Sequence, residues 1–225
     1  MTRFIIVRHP FERILSAYRD KLEHREDREF YYRRFGSEIV KSQREVNSTF
    51  ANRAEPTFVE FLKYLVNMKI FDEHWRPFTV ECAPCEMNYQ IILKMESLEE
   101  EQLFLATKLN LLDYLLTLNS TGLLMHNTNP NGRTEHNYAE KYYREVPKQL
   151  LQQVYMLYEA DFRLFDYSPK IYFNFATDNT KQEAAGSFGW RKHGTQCDDV
   201  GKWYNVSIFN AFRYGLHWLI SPSLT

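Results

Sequence analysis

Nineteen residues near the start of the chain, FIIVRHPFERILSAYRDKL from Phe4 to Leu22, restrict the fold more than any other stretch. Phe4 to Val7 is an unbroken apolar run rich in β-branched residues, the pattern of a strand buried on both faces in a parallel sheet. Pro10 suits the first turn of a helix, where a missing N–H costs nothing. Beyond it Phe11, Ile14, Leu15, Tyr18 and Leu22 recur at helical spacing, and Glu12, Arg13, Ser16, Arg19 and Asp20 take the other face. The stretch reads as strand, turn and helix. A helix that starts directly after a parallel strand presents unpaired N–H groups and the positive end of its dipole, which favour an anion. Arg8, at the carboxyl end of the strand, adds a planar charged fork, and Ser16, two turns beyond His9, adds a hydroxyl donor. Arg8 and Ser16 together suggest a phosphate clamp. The alternative is that Arg8 pairs with Glu12 or Asp20 and that Ser16 is a solvated helix residue.

The rest of the chain continues an α/β rhythm. Residues 23–54 are dense in charge and read as a long, partly helical excursion rather than core. Thr57 with Glu60 has the spacing of a capping box, opening a helix with Phe58, Phe61, Leu62, Leu65 and Val66 on its apolar face. YQIILKM at 89–95 predicts a second buried strand, and Ser97 with Glu100 predicts another capped helix to about Leu109. Gly, Asn and Pro mark 121–138 as loop. From Val146 to about Phe165 the apolar spacing predicts a long amphipathic helix, and after residue 169 no clear period remains. A chain of 225 residues with this pattern is expected to form one domain over 1–168 and a tail over 169–225.

Net charge is −1, so any site for an acidic ligand must come from local clustering, and the first 53 residues hold 12 Lys and Arg against 8 Asp and Glu. No nucleic-acid partner is expected. Three cysteines are too few for a disulfide scaffold or a four-thiolate zinc site. CAPC at 82–85 leaves open half of a mixed metal site, a redox pair, a tight disulfide or two buried thiols. MTRFIIVRHP lacks the apolar core and cleavage site of a signal peptide. The aromatic segment Trp203 to Ile220 is interrupted by Arg213, His217 and two Asn, so no membrane span is expected there. Sequons at Asn47, Asn119 and Asn205 would be glycosylated only in a secretory lumen.

VRHPFERILSAYRDKL resembles the 3′-phosphate-binding motif of carbohydrate sulfotransferases of the chondroitin and dermatan 4-O-sulfotransferase group, members of the Golgi sulfotransferase family 2. The resemblance continues in the same order through TFVEFLKYL, DEHWRPFTVECAPCEMNYQIILKMESLEEE and YYREVPKQLLQQVYMLYEADFRLFDY, and covers roughly residues 3–168. It implies a P-loop-NTPase-like sulfotransferase fold, with a parallel sheet and flanking helices. It also implies transfer of a sulfuryl group from 3′-phosphoadenosine-5′-phosphosulfate to a glycan hydroxyl, without a metal, by a single-pass membrane glycoprotein facing the Golgi lumen. In that reading Arg8 and Ser16 hold the 3′-phosphate, and His9 contacts nucleotide or backbone. Cys82 and Cys85 are structural in that reading, and Arg133, in a loop rich in Gly and Asn, is a candidate to close over the nucleotide, with a solvated turn residue as the alternative.

The acceptor hydroxyl needs a base, and His74 in DEHWRP is the leading candidate, with packing beside Trp75 as the alternative. Arg25, Arg28, Arg33, Arg34 and Lys41 suit an acidic chondroitin- or dermatan-type acceptor, unless neighbouring Glu and Asp neutralise them. The family's upstream strand and 5′-phosphosulfate loop, of the type PKVGCTNW, do not occur. The chain is therefore expected to be truncated, lacking the first strand and that loop. The alternative function is that of an inactive remnant or isoform that binds nucleotide weakly.

Overall fold

The computed structural model describes residues 2–26, 28–113 and 136–178. Strand β1 (Phe4–Val7) leads directly into helix α1 (Pro10–Lys21). The charged excursion holds α2 (Glu29–Tyr31), a π-helical turn at Tyr32–Gly36 and α3 (Ser37–Gln43). Next come α4 (Phe58–Met68), α5 (Phe78–Glu81) and α6 (Pro84–Met87). Strand β2 (Ile91–Lys94), a 3₁₀ turn at Met95–Ser97 and α7 (Leu98–Lys108) follow. The later helices are α8 (His136–Tyr143), α9 (Lys148–Leu164) and α10 (Lys170–Phe175). Among the described residues the sheet has two strands, paired in parallel with Val7 beside Lys94. The class is α/β, as the alternation of strand and helix predicts.

The apolar stripe of α1 enters the core as its spacing requires, with Phe11, Ile14, Leu15, Tyr18 and Leu22 all buried. α4 packs beside it through Phe58, Phe61, Leu62 and Leu65, and α9 through Leu151, Val154, Tyr158 and Phe162. At the start of α4 the capping box forms in full. Glu60 N–H donates to Thr57 Oγ1 at 3.2 Å and Thr57 N–H donates to Glu60 Oε2 at 2.7 Å.

Four expectations need correction. Neither strand is covered on both faces: Ile5 and Val7 pack against Phe165 and Leu93 of β2 is buried, but Phe4 is 42% and Ile92 49% exposed, because the pleat turns alternate side chains away from the helical layer. The excursion is not merely solvated, since Phe35 and Ile39, one helical turn apart, are buried in the main core and Phe35 meets Trp75 at 5.0 Å between ring centroids. Ser97 does not box with Glu100. The 3₁₀ turn shifts the phase of the chain, so Ser97 Oγ donates to Glu101 at 2.6 Å, and the same carboxylate accepts the Lys94 N–H at 2.6 Å. The segment after 169 begins as packed structure: Tyr172 of α10 is fully buried, and Thr177 N–H donates to the Val146 carbonyl at 3.0 Å.

The excursion is fastened by one buried ion pair. Arg44 Nε and Nη2 donate to the two oxygens of Glu60 at 2.8 and 2.9 Å, and the same guanidinium donates to the Arg53 and Glu55 carbonyls. Burial alone would raise the Glu60 pKa, but the Arg44 fork and the Thr57 N–H outweigh it and hold the carboxyl below its ordinary range. A lowered pKa contributes stability above the unfolded carboxylate value of about 4.3, and that stability is lost as pH falls through the folded value. Glu60→Gln is expected to destabilise the chain by about 3 kcal/mol in urea titrations at neutral pH, because it leaves the buried Arg44 charge uncompensated. The gap between variant and parent should shrink as the pH is lowered below about 4.

Candidate functional site

The parallel register sets the carboxyl ends of β1 and β2 side by side, the place where open α/β sheets bind ligands. Glu96, two residues beyond Lys94, thereby reaches the start of α1, and its Oε1 accepts the His9 N–H at 2.7 Å. One of the unpaired donors that a helix start offers an external anion is thus taken by an internal carboxylate. Glu96 Oε2 accepts the Tyr167 hydroxyl at 2.9 Å, and burial followed by this carboxylate pushes the Tyr167 phenol far above its ordinary range. The His9 ring turns inward, among Phe162, Tyr167 and Tyr172 at 4.6–5.2 Å between centroids. Its Nε2 lies 3.1 Å from the Ser168 carbonyl, a partner that requires the proton on that nitrogen.

Arg8 stands at the mouth of this corner with its side chain 21% exposed, its Nε 3.7 Å from Glu12 Oε2. Glu12 is buried, and its other oxygen accepts the Tyr172 hydroxyl at 2.9 Å. The Arg8–Glu12 pairing left open by the sequence is therefore present. Ser16 is partly buried on α1, one turn beyond Glu12. Lower on α1 the pattern repeats, with Arg19 Nε 3.8 Å from Glu23 and the Tyr142 hydroxyl donating to Glu23 at 2.5 Å.

His74 lies between α4 and α5, on a turn closed by the Trp75 and Arg76 N–H groups donating to the Asp72 carbonyl at 3.0 and 2.7 Å. Its Nδ1 is 2.5 Å from Asp72 Oδ1 and 3.4 Å from the Tyr31 hydroxyl, and the ring is partly exposed. With Nδ1 committed to a carboxylate, Nε2 is the nitrogen that can exchange a proton. Arg13, on α1, ties this turn to the helix that starts at the β1–α1 corner. Its guanidinium donates to the Arg76 and Glu73 carbonyls and lies 4.1 Å over the Phe78 ring. Asp72, Glu73 and His74 bring three ligand atoms within 4.8 Å of one another, close enough to hold a cation.

The sequence pattern of the Sulfotransferase family matches residues 1–168. The chain belongs to this family. It is 33% identical over 178 residues to carbohydrate sulfotransferase 12 of Xenopus laevis, covering 74% of this chain and 40% of that protein. It is 31% identical over 175 residues to carbohydrate sulfotransferase 11 of Rattus norvegicus, covering 74% and 47%. It is 31% identical over 180 residues to carbohydrate sulfotransferase 10 of Gallus gallus, covering 73% and 46%. The chain thus spans less than half the length of these relatives. No solved structure matches it.

Several other residues singled out in this sulfotransferase-family chain can now be placed. Cys82, at the end of α5, is a free, half-buried thiol whose pKa burial raises, whereas Cys85 is disulfide-bonded. CAPC is therefore not closed on itself, which corrects the tight-disulfide and redox-pair readings. Asn47 is exposed in the turn region after α3, while Asn119, Asn205 and Arg133 lie outside the described residues. Of the basic cluster, Arg25 and Arg33 share Glu29, at 2.6 and 2.8 Å, and Arg28 pairs with Asp20 at 2.9 Å. Arg34 instead lies over the Phe35 ring at 5.1 Å. With Arg33, Ser37, Glu38, Lys41 and Ser42 it lines an open groove of about 550 Å³.

Residues that sequence reasoning missed are those that hold the site. Asp161, fully buried, accepts the Phe78 and Thr79 N–H groups at 2.7 and 2.8 Å and the Thr79 hydroxyl at 2.7 Å, fixing the start of α5 to α9. Glu96 does the same for α1. Their only sequence signal is membership of the motifs YEADF and KMESL. Glu96→Ala removes the acceptor of two hydrogen bonds and is expected to cost about 2 kcal/mol, read as a lower urea midpoint at unchanged m-value.

Proposed function

We propose that this chain forms the 3′-phosphate-binding and acceptor-facing part of a carbohydrate sulfotransferase that uses 3′-phosphoadenosine-5′-phosphosulfate. The observation that carries this reading is the position of Arg8, partly exposed at the carboxyl end of two parallel strands, in the turn that leads into the helix bearing Ser16. Arg8 and Ser16 bind the 3′-phosphate, and the His9 ring, held inside, orients the turn between them. Arg133 closes over the nucleotide. The acceptor is an acidic glycan of the chondroitin or dermatan type. Arg34 and Lys41 in the open groove receive its carboxylates or sulfates, one or more helical turns from Tyr31, whose hydroxyl touches His74.

In the transfer step the acceptor hydroxyl gives its proton to His74 Nε2 as its oxygen bonds to sulfur. The bond between sulfur and the nucleotide phosphate oxygen breaks, and that oxygen keeps the electron pair. Asp72 holds the imidazole in the tautomer that can accept the proton and stabilises the cation that results. Positioning and charge stabilisation carry most of such an in-line transfer. We place the reaction in the Golgi lumen, where Asn47 is exposed for glycosylation. Among the described residues no helix is long and apolar enough to cross a membrane.

Calorimetric titration with adenosine 3′,5′-bisphosphate tests the nucleotide site. Arg8→Ala is expected to weaken binding about 10- to 100-fold, the loss of one charge-assisted contact. Equal affinity in parent and variant would remove Arg8 from the site. In a transfer assay with desulfated chondroitin, His74→Ala is expected to lower kcat by about 10²–10⁴ at an unchanged nucleotide KM. A chain that binds the bisphosphate but transfers nothing to any glycan would establish the noncatalytic alternative.

A further inference from the structure

The Arg8 side chain is long, and a guanidinium recognises phosphate well only when its fork is held in one plane. Its neighbour Glu12 is buried, and a buried carboxylate needs fixed partners. Among its partners are Arg8 Nε, 3.7 Å from Oε2, and the Tyr172 hydroxyl, 2.9 Å from Oε1. Tyr172 stands on α10, beyond the residues that match the family. Its place is set on several sides. The ring lies 4.6 Å from His9, 5.4 Å from Phe11 and 5.0 Å from Tyr143. The end of α10 is fastened to the start of α9 by Thr177 N–H donating to the Val146 carbonyl and Lys148 N–H donating to the Thr177 carbonyl, both at 3.0 Å. Burial, and next the Glu12 charge, push the Tyr172 phenol far above its ordinary range, so it is a permanent donor at any physiological pH.

We infer that Tyr172 and Glu12 form a positioning pair that aims the Arg8 guanidinium at the 3′-phosphate, which makes α10 a working part of the nucleotide site. The inference rests on the nucleotide reading given above. Tyr172 fixes which Glu12 oxygen faces Arg8, and Glu12 then restricts the guanidinium to one side of the corner. Neither residue touches the nucleotide in this arrangement.

Affinities for adenosine 3′,5′-bisphosphate and adenosine 5′-phosphate, measured on the full chain, separate positioning from general support. The parent should prefer the bisphosphate, and Arg8→Ala should lose most of that preference. Tyr172→Phe, which keeps the ring and removes only the hydroxyl, is expected to reduce the preference about tenfold through weaker bisphosphate binding, with 5′-phosphate affinity unchanged. Glu12→Gln keeps an acceptor for Tyr172 but removes the charge beside Arg8, and should show the same selective loss; it carries the test if Tyr172→Phe does not fold. A parent without preference, or an Arg8→Ala variant that keeps it, would overturn the nucleotide reading itself. If Arg8→Ala loses the preference while Tyr172→Phe and Glu12→Gln retain it, or weaken both ligands equally, only the positioning inference fails.

Discussion

The hydrogen bond from the His9 N–H to Glu96 ties the first residue of α1's start to the segment just beyond β2. It is possible only because the two strands are parallel and in register, with Val7 beside Lys94, so that both chains leave the sheet at the same end. From that junction α1 runs through the core. Its apolar stripe meets α4 and α9, Arg8 stands at its mouth, and Arg13 reaches across to hold the turn that carries His74. The distance between the β1–α1 corner and His74 is therefore set by one helix.

Buried carboxylates are the recurring fastener. Glu12, Glu60 and Asp161 are each held by backbone N–H groups, an arginine or a tyrosine hydroxyl, and the more exposed Glu96 is held in the same way. A carboxylate removed from water is stable only when its lone pairs are met, and each of these groups therefore fixes the elements that supply the donors. The aromatic richness of the chain serves the same end. Tyr18, Tyr143 and Tyr158 fill the core with their rings and donate their hydroxyls to the carbonyls of Pro56, Phe11 and Trp75. The result is a core in which polar bonds specify which helices meet.

The basic excursion shows how composition divides once partners are in place. Arg25, Arg28 and Arg33 are met by Glu29 and Asp20, and those two bridges to Glu29 hold its carboxyl down at about 2. Arg34 and Lys41 face the groove. The i, i+4 spacing of Arg25, Glu29 and Arg33 was open to reading from the sequence, and helical geometry then does the pairing. That Phe35 and Ile39 anchor the same segment was obscured by the surrounding charge, because two apolar residues one turn apart give too short a pattern to distinguish from chance.

Most local patterns were legible: β1 and α1 from their periodicity, the Thr57–Glu60 box from its three-residue spacing, β2 from its apolar run and α9 from its long stripe, whereas the Ser97–Glu100 spacing misled. Arg8, Ser16 and His74 were candidates on the same grounds, since each depends on neighbours within a few positions. What holds them was not legible. Tyr172 meets Glu12 across 160 residues, Glu96 meets His9 across 87, and Asp161 meets Thr79 across 82. By itself the sequence determined which segments become strand or helix and which face of each is apolar, because those properties follow from backbone geometry repeated every few residues. Only the tertiary structure decided which carboxylate meets which donor, because such bonds have no period and exist only after distant elements have packed.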